Sequence, residues 1–257
     1  MNISIIGSGN VATVLGKRIA STGHHIREVF SPTKKHAIEL AESIGASPCS
    51  NWEEMDMSSD LYLAAISDQG LIQLCGYLNL DNKLIVHTAG SVSIHVLRSV
   101  SKNYGSFYPL QSLRKELNRI PDIPFLVDGN SNESLTLITD FAKGISDQVH
   151  RASDDQRLTL HLAAVIVNNF TNHLYSLTEK FCADNGVEFK LLSPLMSETT
   201  ARLHDFSPSQ TQTGPAARGD LETIAKHLQL LKTNPELREL YSVISKSIMQ
   251  MKNGYPF

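Results

Sequence analysis

Cysteine is scarce in this 257-residue chain: Cys49, Cys75 and Cys182 are odd in number, lie far apart and form no C-x-x-C pair. Neither a disulfide framework nor a zinc knuckle is expected, and a reducing cytoplasm is the expected compartment. An excess of one charge sign is lacking too. The 23 Lys and Arg stand against 26 Asp and Glu, and a net charge of −3 offers no basic field to nucleic acid or an anionic membrane surface. With 10 Pro and 15 Gly, collagen-like repetition and long disorder are excluded. The N-terminus has no basic n-region and no cleavage site, so it does not read as a secretory signal. None of the ten histidines stands in an H-x-x-x-H with supporting acids, and no metal site is expected.

Long apolar runs are nearly absent as well. Leu158 to Thr178 carries no Asp, Glu, Lys or Arg over 21 residues, about a bilayer's span, but it contains His161, Asn168, Asn169, Asn172 and His173. Such polar groups make insertion costly, so the stretch reads as a buried helix with a polar seam and no membrane is expected.

What is present is alternation. Residues 2–6, 25–30, 61–66 and 84–87 read as strands, with helical spacing over 10–20, 33–43 and 69–77 between them. Further strands are expected at 106–108, 125–127 and 148–150, with a helix at 134–143. This order argues an α/β fold: a doubly wound, mostly parallel sheet. Composition changes at about residue 151, where Ser153-Asp154-Asp155-Gln156 has the form of a capping box opening a helix that runs to Asn185-Gly186. Helices follow near 189–203, 221–231 and 235–251, with a polar loop at 205–217. Two domains are expected, 1–150 binding a dinucleotide and 151–257 helical. The long helix is too long for its own small domain to cover.

Gly7-Ser8-Gly9-Asn10-Val11-Ala12 is a G-x-G-x-x-A fingerprint set between a strand and a helix. Gly7 would make the turn, Gly9 would admit a pyrophosphate onto free helix amides, and Ala12 would let the helix pack. At the end of the second strand stand Ser31, Thr33, Lys34 and Lys35, hydroxyls and cations that suit a 2′-phosphate, while Glu28 falls inside the strand. NADP is the expected cofactor, with NAD possible. Ile66, Ser67 and Asp68, and then Thr88, Ala89 and Gly90, end strands that should face the nicotinamide half. His87 is read as structural. Phe107 to Ser112 should form another wall of the cleft.

The combination of GSGNVA, AAISD, HTAGSVS, FYPLQS, HLAAVIVNNF and TGPAARGDLETIAKHL resembles a family of Rossmann-like NADP oxidoreductases, relatives of pyrroline-5-carboxylate reductase and the deazaflavin-dependent NADP reductases. The resemblance implies a Rossmann domain followed by an all-helical domain that dimerises. It also implies roles for His161 and Asn169 on the long helix. Pro32 departs from the pattern, in which Arg often follows the Ser. The polar groups of the long helix should be buried, against either a substrate or a helix interface. Arg218, with the amides after Thr213, could hold an anionic substrate group or brace its loop. The expected activity is hydride transfer between NADP and a small C=O or C=N compound, with His161, Asn169 or Arg218 orienting it or supplying a proton. The other class is a nucleotide-binding sensor or regulatory scaffold, because no Tyr-x-x-x-Lys pair supplies an unmistakable acid.

Overall fold

The computed structural model describes residues 1–117 and 119–252. The chain divides into two compact units, Met1–Asn168 and Asn169–Phe257.

The first unit is built on strands β1 (Asn2–Ile6), β2 (His25–Phe30), β3 (Ser47–Cys49), β4 (Leu61–Ala64), β5 (Leu84–His87), β6 (Asn103–Pro109), β7 (Phe125–Gly129) and β8 (Val149–Arg151). They form one sheet in the order β3-β2-β1-β4-β5-β6-β7-β8, parallel except where β7 runs against β6. The short β3 is an addition to the expected strands, and the strand expected over 61–66 stops at Ala64. Helices α1 (Asn10–Ala20), α2 (Lys34–Ile44) and α4 (Asn132–Lys143) flank the sheet, together with the short α3 (Asp68–Gln73). The helix expected over 69–77 is α3 followed by a 3-10 turn at Leu74–Gly76.

Successive strand residues point to opposite faces, and both faces are packed. Ile3, Ile5, Leu61, Leu63 and Val86 face one core with Leu15 and Ile19 of α1 and Phe141 of α4. Ile6, Tyr62, Ala64 and Ile85 face the other, against Leu71, Leu74, Leu97 and Val100. This double burial explains why β4 and β5 read as unbroken apolar runs and not as alternation.

The capping box forms as expected. Gln156 N donates to Ser153 Oγ (3.4 Å) and Ser153 N donates to Gln156 Oε1 (3.0 Å), opening α5 (Asp154–Ala164). A π-helical turn at Val165–Phe170 joins α5 to α6 (Thr171–Asp184), so the helical run from 154 to 184 is continuous, with one wide turn in its middle. The composition change at residue 151 thus marks the start of this helix, while the compact units part later, inside the π turn.

The second unit continues with α7 (Ser193–Ala201), α8 (Pro208–Thr211), α9 (Pro215–Arg218), α10 (Leu221–Leu230) and α11 (Pro235–Lys252). The segment expected as a plain loop at 205–217 holds two one-turn helices, each started by a proline whose missing N–H costs nothing there. In the single chain the polar seam lies largely open. Asn168, Asn169, Asn172 and His173 are all exposed in the single chain, and His173 Nε2 lies 3.4 Å from the Glu236 carboxylate on α11. The apolar residues of the same helix are exposed with them, Phe170 at 57% and Val167 at 70%. Among the described residues of the second unit, only Cys182, Ala216, Ala217, Ile224 and Leu231 are buried apolar groups.

Gly105 in the middle of β6 has no room for a side chain, since a Cβ there would run into the carbonyl oxygen of Asp128 and lie 2.5 Å from Ile138 Cδ1. Gly105→Ala should destabilise the first unit by about 3 kcal/mol, at the upper end of ordinary overpacking, and urea denaturation followed by circular dichroism checks this.

Candidate active site

In an open parallel sheet, ligands bind at the carboxyl ends of the strands, where the chain order reverses. Here the reversal lies between β1 and β4, which are neighbours in the sheet. β1 ends at Gly7, whose amide donates to Phe30 O of β2 (2.8 Å) and whose φ is +121°. A Cβ at Gly7 would collide with the carbonyl of Ala65, so the turn demands glycine for internal reasons. Gly9 differs. A Cβ there would meet nothing of the protein within 4 Å, and Gly9 stands as the exposed N-cap of α1 with no side-chain cap. The amides of Asn10 and Val11 therefore open onto free space at a helix N-terminus, which fits a pyrophosphate.

Beside this turn, Ser8 Oγ donates to Ser31 Oγ at 2.9 Å, joining the first loop to the end of β2. Ser31 is buried, while Thr33, Lys34 and Lys35 are exposed where α2 starts. Lys35 has Glu39 at 3.7 Å, a solvated pair one turn along α2, which leaves Lys34 as the cation of this edge without an ion-pair partner among the described residues. Glu28 is turned away from the edge, as expected: its carboxylate accepts the amide of Asp56 at 3.1 Å, and burial raises its pKa. The edge thus carries hydroxyls and ammonium groups and no free carboxylate beside them, which suits a 2′-phosphate better than a ribose diol.

After β4, Ser67 caps α3 by accepting from the Gly70 amide at 3.2 Å. Asp68 accepts from Ser91 Oγ at 2.7 Å, so the loops after β4 and β5 are tied together. The loop after β5 is held from below by His87. Its Nδ1 accepts the amide of Ala89 at 3.2 Å, so the proton sits on Nε2. His87 is wholly buried, and desolvation, with the Arg157 cation second, pushes its pKa down to about 4.

His161 of α5 lies directly on Gly90. A Cβ at Gly90 would stand 2.6 Å from Cγ and Nδ1 of the imidazole, so only glycine lets the ring rest there. Tyr108, at the end of β6, has its hydroxyl 2.9 Å from His161 Nδ1, with the rings edge to face at 5.9 Å. Tyr108 is 9% exposed, and burial raises its pKa. The imidazole is thereby oriented through Nδ1, and its Nε2 has no protein partner among the described residues.

Of the residues expected at the site, the structure brings together Gly7 to Val11 with Ser31, Ser67 and Asp68 with Thr88 to Gly90, and Gly90 with His161. Ile66 packs against Gly7 and Gly70. Asn169 and Arg218 belong to the second unit. Asn169 is exposed in the π turn, and Arg218 is exposed at the end of α9, while Asp220 caps α10 through Thr223 N and Oγ1. Gln111, expected to face the cleft, turns to its own loop and donates to Asp122 O at 3.0 Å. Tyr108 was visible in sequence only as part of an apolar turn. Arg157 and Asp154 were passed over because they read as an ordinary first helical turn.

This arrangement has known counterparts. Residues 2–90 match the family described as NADP oxidoreductase, coenzyme F420-dependent, and residues 123–248 match a domain of unknown function, DUF2520. The solved structure of BF3122 from Bacteroides fragilis, an inferred NADP oxidoreductase, is 35% identical over 97% of this chain and 98% of that one, with a TM-score of 0.90. The chain belongs to the NADP oxidoreductase family. Two more distant structures show the same fold. An imine reductase from Myxococcus stipitatus in complex with NADP+ is 16% identical over 99% of this chain and 96% of that one, with a TM-score of 0.68. A 1-pyrroline-5-carboxylate reductase from Streptococcus pyogenes is 15% identical over 97% and 98%, with a TM-score of 0.64. No curated protein matches the chain. The residues of the Gly7–Gly9 turn and of the Ser31–Lys34 edge fit the pyrophosphate and the 2′-phosphate of such a cofactor.

His87 has a folded pKa below its unfolded value of 6.5, so between about pH 6.5 and 4 the folded enzyme binds fewer protons than the unfolded chain. Its contribution is fully present above pH 6.5 and is lost as pH falls toward 4, on the order of 3 kcal/mol in all. His87→Asn, whose Oδ1 can accept the Ala89 amide, should flatten this part of the decline. The difference between the two Tm-against-pH curves measures it.

Proposed function

We propose that this NADP oxidoreductase reduces a small carbonyl or imine compound, with His161 as the proton donor and Tyr108 as the group that orients it. The observation that carries the reading is the Tyr108–His161 hydrogen bond placed on Gly90, at the loop that ends the fifth strand of the nucleotide-binding sheet. Bound at the Gly7–Gly9 turn and the Ser31–Lys34 edge, NADPH would supply a hydride to the carbon of a C=O or C=N bond, whose oxygen or nitrogen needs one proton. A protonated His161 donates Nδ1–H to the Tyr108 oxygen and holds the transferable proton on Nε2. Giving it up leaves a neutral ring still tethered through Nδ1, ready to be reprotonated from solvent. The fixed tether spares the ring a search over rotamers, which is the chief gain a positioned acid offers.

The helical run from 154 to 184, whose residues fall in both units, and the second unit itself support a partner. Leu158, Leu162, Ile166 and Phe170 recur every fourth residue along the helical run and are all exposed. A unit that buries so few apolar groups cannot offset its own chain entropy. A second copy of the chain is the occupant that fits, because the stripe is apolar along its length and carries no charge to select a polar partner. This stripe supports the expected homodimer, and the scarcity of cysteine supports the cytoplasm as its compartment.

Titration with NADPH, followed by nicotinamide fluorescence, should saturate, and a panel of cyclic imines and 2-oxo acids should include a compound that drives oxidation of NADPH. Tyr108→Phe should keep NADPH affinity and lower kcat about 100-fold, the usual worth of a positioned acid. Absence of NADPH binding overturns the cofactor assignment, and an unchanged kcat in Tyr108→Phe overturns the proton donor. Sedimentation should give twice the monomer mass, and Phe170→Glu should shift the species toward monomer at micromolar concentration.

A further inference from the structure

Arg157 is the largest fully buried side chain in the protein, 1% exposed, and nothing in the proton transfer uses it. It stands one turn before His161 on the same face of α5. Its guanidinium makes three contacts. Nη1 donates to Ser106 Oγ of β6 at 3.0 Å, and Nη2 donates both to the Asp154 carboxylate at 2.7 Å and to the carbonyl oxygen of Val92. Asp154 in turn accepts the amide of Ile94 at 3.2 Å. Ser106 is the register partner of His87 across β5 and β6, so the guanidinium lies beside the imidazole that fixes Ala89.

We propose that Arg157 is a positioning residue for the loop that follows β5, holding Val92, Ser106 and Asp154 in one buried cluster and so setting where the backbone of Thr88 to Gly90 stands. The proposal rests on the reading that this loop faces the nicotinamide half of the cofactor. Without Arg157 the loop is pinned at its near end by His87 and tied to α3 by Ser91, but at its far end only Ser93 and the Ile94 amide, both on the Asp154 carboxylate, hold it to α5, and that carboxylate has lost its cation. With it, one face of α5 grips the loop twice: Arg157 takes the Val92 carbonyl and His161 rests on Gly90. The cluster also preserves the near-end pin. The ionisable groups that act on His87 are Arg157, Asp154 and Asp68, of which the cation has the largest effect. Burial above all, and then the permanent cation beside it, keep the imidazole neutral, and a neutral imidazole can keep Nδ1 as the acceptor for Ala89. Asp154 stays ionised to match: burial works against its charge, but hydrogen bonds from Ser93, Arg157 and the Ile94 amide outweigh burial and lower its pKa.

A structural residue and a positioning residue separate by which half of the cofactor feels the change. The full-length enzyme, Arg157→Lys and Asp154→Asn are titrated with NADPH and with adenosine 2′,5′-bisphosphate, which carries the adenosine half alone. Amide hydrogen exchange is followed at Ala89 and Ile94 and at β1. Lys keeps the charge but not the planar fork that holds three acceptors at once. Arg157→Lys should weaken NADPH about tenfold, leave the bisphosphate within about twofold, and speed exchange at Ala89 and Ile94 but not in β1. Asp154→Asn, the gentler change, should move the same readouts in the same direction by a smaller factor. Equal weakening of both ligands, or unchanged exchange at Ala89 and Ile94, overturns the proposal. If the unaltered enzyme bound neither ligand, the cofactor reading itself would fail, while the exchange measurement would still decide whether Arg157 sets the loop.

Discussion

β1 is buried on both faces and hydrogen-bonded on both sides, to β2 and to β4, and it leaves the sheet through a residue that has no room for a side chain. Gly7 is that residue. Its amide closes onto Phe30 while the carbonyl of Ala65 occupies the space a Cβ would need. Everything at the carboxyl edge follows from this crossing: α1 begins immediately after it with unoccupied amides, and the loops after β2, β4 and β5 gather around the same point.

The chemistry sits one step further along the same edge, where backbone and side chains exchange support. Gly90 makes room for an imidazole, and Tyr108 orients that imidazole. The buried Arg157 cluster beneath shapes the loop that carries Gly90. A cation this deep in a protein is costly unless each of its donors finds an acceptor. Here a carboxylate, a carbonyl and a hydroxyl accept from the two Nη groups, while Nε is buried without an acceptor. The charge therefore specifies an arrangement more than it adds stability.

The two units contrast in how they hold together. The first has a core on each face of a sheet, with aromatic stacking such as Phe107 on Phe125 at 4.2 Å inside it. The second consists of amphipathic helices whose apolar stripes are largely uncovered. The π turn between α5 and α6 lies where these regimes meet along the chain, and a widened turn of this kind recurs in helices near functional groups.

Much of this was legible in the residues. The succession of strands and helices, the glycine turn, the capping box at Ser153 and the helical run to Asp184 are local signals, read from periodicity and from residue types that only one backbone geometry tolerates. Glu28 could be excluded from the cofactor edge by its place inside a strand. Three things were not legible, because each depends on partners distant in sequence. Tyr108 and His161 are 53 residues apart, and no spacing rule connects them. Arg157 looked like a helix-surface charge until folding placed Ser106 and Val92 around it. What covers the polar seam of the long helix is the third, since the burial of a helix depends on what packs against it and not on its own composition. The sequence by itself determined the elements and the nucleotide turn, through local backbone preferences. Only the tertiary structure decided which side chains meet at the site, because long-range contacts are set by how the sheet brings the ends of its strands together.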